Sequence, residues 1–105
     1  MRIAITSTSN HSEALIDPRF GRCAYFAIYD TDTSELVFLP NPAKDADSAA
    51  GPAAVRFAVG QKVNKIISGH FGNKVTPLLE KLGVEIQIEE NEQKTIQTII
   101  NQLKI

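Results

Sequence analysis

Two short, glycine-framed segments hold most of the side chains able to do chemistry in this sequence. They are Asp17-Pro18-Arg19-Phe20-Gly21-Arg22 and Ser68-Gly69-His70-Phe71-Gly72-Asn73. The first places two guanidinium groups around a glycine, and a guanidinium fork presents coplanar donors to an anion with several oxygens or sulfurs. The second passes through Gly69 and Gly72 and is expected to open a helix at Gly72 or Asn73, so that free backbone amides face outward. Read for chemistry, Arg19, Gly21, Arg22, Gly69, His70, Gly72 and Asn73 are candidates for holding an anion. Read structurally, Asp17 pairs with Arg19 or Arg22 and the glycines serve a tight turn. Phe20 is expected to anchor its loop in the core.

His70 could ligate a metal, donate to an anion or cap its loop. Cys23 follows Arg22, whose charge could lower the thiol pKa, although a single cysteine also serves as a small buried hydrophobe. His70 and Cys23 are therefore the candidate metal ligands. His11 reads as a solvated histidine, and Asp45, Asp47 and Ser48 as part of a solvated lid.

The elements that would position these residues follow from apolar patterning. Arg2 to Ser7, Ala24 to Asp30, Glu35 to Leu39, Lys65 to Ser68 and Val84 to Ile88 read as strands. A helix begins at Gly51-Pro52, a second carries Val75, Leu78, Leu79 and Leu82 to a stop at Gly83, and a third carries Ile96, Ile99, Ile100 and Leu103. The order is βββαβαβα. A hairpin followed by right-handed βα crossovers predicts a five-stranded mixed sheet, order 3-2-1-4-5, with strand 2 antiparallel. Ligands favour the carboxyl edge of such sheets at the switch point, here between strands 1 and 4, and both glycine-framed segments fall on that edge.

The 105 residues fit a single domain, 1-105, with 43% hydrophobic and 22% charged residues, an ordinary globular composition. A formal charge of −1 supplies no global field for nucleic acid or an acidic membrane, so anion binding must be local. The chain begins directly on a strand pattern without a signal-like apolar stretch, and a cytoplasmic location is expected. One cysteine excludes an intrachain disulfide and paired-cysteine metal motifs. The edge strand Glu35 to Leu39 leaves a monomer or weak homodimer as the expected state.

The segments Arg2 to Ile5, Asp17 to Phe26, Asn41-Pro42, Ala50 to Ala54 and Ser68 to Lys74 together resemble the dinitrogenase iron-molybdenum cofactor biosynthesis family. That family includes the NifX and NafY-type carriers and the C-terminal domain of NifB. The resemblance spans nearly the whole chain, and its most specific part is Pro18-Arg19-Phe20-Gly21-Arg22 before the aromatic strand. It implies a three-layer, ribonuclease H-like α/β fold and a non-catalytic binding or carrier role. The implied ligand is an iron-sulfur, iron-molybdenum or thiomolybdate-type cluster or precursor, exchanged with metal-sulfur cluster donor or acceptor proteins. Many members carry histidine where this chain has Arg19 and proline where it has Asn73.

Two other function classes compete. A regulatory or protein-interaction domain without ligand would use the 41–50 loop and the edge strand. A metal-dependent nuclease or phosphotransferase would need several carboxylates around one point, and the first strand, Ile3 to Ser7, offers none.

Overall fold

In the computed structural model, which describes residues 1–104, the N-terminal apolar run forms β1 (Arg2–Ser7), with every residue after Arg2 buried. A strand buried on both faces belongs at the centre of a sheet. β1 pairs antiparallel with β2 (Tyr25–Asp30) and parallel with β4 (Lys65–Ser68). β3 (Leu36–Pro40) runs antiparallel to β2, and β5 (Glu85–Ile88) parallel to β4. The order is β3-β2-β1-β4-β5, and β2 alone opposes the others, as the sequence predicts.

Side-chain alternation along β1 divides the core between two faces. On one, Ala4, Phe26, Ile28 and Ile66 meet Ala54, Val55 and Ala58 of α1 (Ala50–Gly60) and Val75 and Leu79 of α2 (Val75–Lys81). On the other, Ile3, Ile5, Ala27, Tyr29 and Ile67 meet Ile96, Ile99 and Ile100 of α3 (Ile96–Leu103). This is the expected layering of helix, sheet and helix. Thr95 caps α3 by accepting from the Thr98 amide, and Gly83, at φ 75°, follows the end of α2 in the left-handed conformation. No helix among the described residues is long and apolar enough to cross a membrane.

Several element boundaries differ from the sequence reading, most of them by a single residue. β2 begins at Tyr25. β3 extends through Pro40, where an edge strand tolerates proline: Glu35 and Asn41 make the inward backbone bonds to Asp30 and Ala24, so the Pro40 nitrogen faces the open edge. The largest shift is in α2, which starts at Val75 and not at Gly72 or Asn73. The amides of Val75 and Thr76 fold back onto the Gly72 carbonyl, at 3.0 and 3.3 Å, so the preceding residues form a turn.

Strand directions put the carboxyl ends of β1, β3, β4 and β5 on one edge of the sheet, with the start of β2. The loops that leave this edge build the candidate site.

Candidate functional site

Buried hydroxyls fasten the first segment to the sheet edge. Thr6 Oγ1, at the end of β1, donates to the Asp17 carbonyl at 2.7 Å and lies 2.9 Å from Ser68 Oγ at the end of β4. The Asp17 amide donates to the Thr6 carbonyl at 2.9 Å. Arg19 then pairs with His70 in a parallel bridge, and the Phe20 amide donates to the His70 carbonyl at 3.2 Å. The Phe20 and Phe71 rings stack at 5.5 Å beneath this bridge, while Gly69 passes against Pro18. The two segments therefore converge, as the carboxyl-edge argument predicts.

Beside this junction lies a cleft of about 480 Å³, within the size range of small-ligand sites. Its walls are Gly21 and Arg22, Ala49 to Pro52 at the start of α1, and Gly72 to Val75 at the start of α2. Glycine brings these walls together. A Cβ on Gly21 would stand 3.0 Å from the Gly51 nitrogen, and one on Gly51 would stand 2.7 Å from Val75 Cγ2.

The lining has a consistent electrostatic character. Arg22 and Lys74 bring positive charge, Asn73 brings an amide, and there is no carboxylate, thiol or imidazole. The backbone amides of Ala50, Gly51, Gly72, Asn73 and Lys74 have no acceptor among the described residues. Ala49 precedes α1 in the left-handed region (φ 56°) and caps it with no side-chain bond. Such donors, with two cations and small apolar side chains, favour an anion of low hydration. Among the described residues no group of three or more His, Cys, Asp and Glu side chains is placed to hold a metal ion. The lining can hold an anion by hydrogen bonds and charge.

The sequence candidates divide accordingly. Gly21, Arg22, Gly72 and Asn73 line the cleft; Arg19, Gly69, His70 and Cys23 do not. Arg19 directs its guanidinium at the buried Asp17 carboxylate, with Nε 3.3 Å from Oδ1, the ion pair of the structural reading. His70 is exposed beside it. Gly69 serves the close approach to Pro18. Arg22 Nη1 donates to the carbonyls of Lys44 and Ala46, at 3.0 and 2.6 Å, and so holds the loop between β3 and α1.

Cys23 follows the second of its two readings, a small buried hydrophobe. Its side chain is buried in the helical face of the core. Burial, reinforced by the charge of Asp17, pushes the thiol well above its ordinary range, and the Asn41 hydrogen bond and the Arg19 charge offset only part of this. Asn41 Nδ2 lies 3.6 Å from the sulfur and donates to the Cys23 and Gly21 carbonyls. Asp30, at the end of β2, stands opposite Arg2 at the far edge of the sheet.

Sequence reasoning missed Lys74 and the start of α1 as parts of the site. Gly51-Pro52 marks a helix start, but only the fold brings that start against Gly21. Among the glycines of the two segments and the cleft, one remains without a packing reason. A Cβ on Gly72 would meet nothing within 4 Å, and its φ is not positive. Gly72→Ala is therefore expected to leave stability unchanged or raise it by up to about 1 kcal/mol, through the reduced entropy of the unfolded chain, as a thermal melt would show.

Comparison with known proteins agrees with the fold and with the family resemblance. The chain matches the family model described as dinitrogenase iron-molybdenum cofactor over residues 1–104. An uncharacterized protein of Methanocaldococcus jannaschii is 26% identical over 89 residues, which cover 82% of this chain and 72% of the relative. The apo form of the orange protein of Desulfovibrio gigas superposes with a TM-score of 0.90 at 25% identity, covering 97% of this chain and 85% of that one. The NMR structure of a Thermotoga protein described as NifB gives a TM-score of 0.81 at 29% identity, with the same coverage. The chain thus belongs to the dinitrogenase iron-molybdenum cofactor family.

Proposed function

We propose that the protein is a non-catalytic carrier that holds an anionic metal-sulfur cluster, or a thiometallate precursor of one, in the cleft between Arg22 and Lys74. The observation that carries this reading is a cleft lined by two cations and unspent backbone amides, with no carboxylate. Family membership supplies the class of cargo, and the apo form of the orange protein implies that a structural relative has a ligand-bearing state. Arg22, Lys74 and Asn73 would contact the anion through side chains, and Gly21, Gly51 and Gly72 would admit it close to the backbone. Arg19 and His70 flank the cleft in sequence and would add charge, or in the case of His70 a ligand, at its margin. Buried Cys23 would support the wall and leave the cargo unligated.

A carrier must load and unload, so cluster donor and acceptor proteins are its expected partners. The open side of the cleft would let cargo pass without unfolding. A held cargo of this kind needs no nucleophile and no general base.

The test is anaerobic incubation with tetrathiomolybdate, or with iron and sulfide, followed by desalting and visible absorbance. The wild-type protein is expected to keep a chromophore. Losing a charge-assisted contact costs about 1.5–3 kcal/mol, so Arg22→Ala and Lys74→Ala should each weaken retention by roughly ten- to a hundredfold. Arg19→Ala and His70→Ala should have smaller effects. A wild-type protein retaining no more colour than an unrelated control of equal charge would overturn the carrier reading.

A further inference from the structure

Arg22 does two jobs at once in this geometry. Its Nη1 donates to both Lys44 and Ala46 carbonyls, while Nε and Nη2 have no acceptor among the described residues. A guanidinium carries five N–H donors, and two on Nη1 account for the loop, so three remain for the cleft that Arg22 lines. The loop is rooted separately. Asn41 is buried, its Nδ2 donates to the Gly21 and Cys23 carbonyls, and its Oδ1 accepts from the Ala43 amide at 3.0 Å. Beyond this root, between residues 44 and 48, the bonds to Arg22 tie the loop to the rest of the protein, and Ala49 accepts from the Ala53 amide of α1. The Lys44 and Ala46 amides make only local turn bonds, to Asn41 and Ala43.

We infer that Arg22 is a positioning residue that bridges the bound anion to the 43–49 loop, so that occupancy of the cleft is read out as order in that loop. This rests on the carrier reading for its ligand, although the hold of Arg22 on the loop does not. The physical reason for coupling is the flexibility of the arginine side chain. Its rotamers must be fixed both to grip the two carbonyls and to receive the anion. Whichever contact forms first fixes them for the other, so each strengthens the other by the same factor. The loop leads directly into α1, and Asp45, Asp47 and Ser48 on it are exposed. Loaded and empty protein would therefore present different loops to a partner.

Hydrogen exchange followed by mass spectrometry tests both halves. In the ligand-free protein, Arg22→Ala should speed exchange across residues 43–49 by about tenfold, with strands β1 and β4 unchanged as the control for folding. An unchanged loop would overturn the hold. With saturating tetrathiomolybdate, the wild-type loop should exchange about fivefold more slowly, within the usual range of coupling between sites. Arg22→Lys keeps the charge but lacks the fork. It should still bind tetrathiomolybdate, more weakly, and show no slowing of the loop on binding. A wild-type protein that takes up the chromophore while its loop exchange stays the same would overturn the bridge and leave the carrier reading standing. A protein that takes up no chromophore would overturn both, and a loop slowed equally by ligand in Arg22→Lys would assign the coupling to another residue.

Discussion

Replacing Phe20 by alanine is expected to cost about 3–5 kcal/mol, the range for removing a buried phenylalanine. Such a loss lowers the melting midpoint of a domain of this size by more than about 12 °C. Phe20 is 1% exposed although it lies in a loop. Its ring stacks on Phe71 at 5.5 Å and leans on Phe26 at 5.7 Å, so one side chain joins the first segment, the second segment and the central sheet. The cavity left by alanine would be walled by strands and by segments fixed elsewhere, which limits collapse. Phe20→Leu should retain most of the stability. If Phe20→Ala melted within about 4 °C of the wild type, equivalent to a loss of at most ~1 kcal/mol, the ring could not be the anchor described here.

Since the same ring fixes Arg19, Gly21 and Arg22 relative to Gly72 and Asn73, its removal should also loosen the cleft. Phe20 thus shapes the cleft without lining it. Its position within a run of functional-looking residues illustrates how stability and chemistry are interleaved on this edge.

The strand order was legible because the hairpin after β1 and the right-handed crossovers after β3 and β4 leave little topological freedom. Convergence of the two segments was legible for the same reason, since strand direction alone sends both to one edge. Placement of the cleft beside their junction was not. It depends on Gly21 meeting Gly51, a contact between residues 30 positions apart that no local pattern announces. The partners of the arginines were equally hidden. Arg19 and Arg22 look alike in sequence, yet one faces the buried Asp17 carboxylate and the other faces loop carbonyls and the cleft. Gly72 and Asn73 resemble a helix start in sequence, whereas the turn closed on the Gly72 carbonyl delays α2 to Val75. Cys23 was ambiguous because charge beside a thiol in sequence says nothing about its burial.

Gly69→Ala is the second change with a large expected effect, and it separates the two kinds of glycine in this site. A Cβ at Gly69 would lie 2.6 Å from Pro18 Cα and 3.1 Å from both Pro18 Cβ and the Pro18 carbonyl oxygen. Neither backbone has an easy retreat. Pro18 is held from one side by the Asp17 bonds to Thr6 and from the other by the Arg19 bridge to His70, and Gly69 follows directly from the end of β4. The added methyl must push the segments apart, stretching the bond from the Phe20 amide to the His70 carbonyl and the Phe20–Phe71 stack. Overpacking of a rigid site costs about 1–3 kcal/mol and occasionally more, and here the upper part of that range is expected. Thermal melts and tetrathiomolybdate titrations of Gly69→Ala and Gly72→Ala, run side by side, give the comparison its force. Gly69→Ala should lose stability and binding together, because the segment carrying Arg22 moves relative to the segment carrying Asn73 and Lys74. Gly72→Ala should keep its stability and lose only binding, because the added methyl would occupy cleft space that the protein itself leaves open. A stable Gly69→Ala protein with unaltered binding would contradict the close packing of the two segments, and a Gly72→Ala protein with unaltered binding would place the anion away from that wall of the cleft.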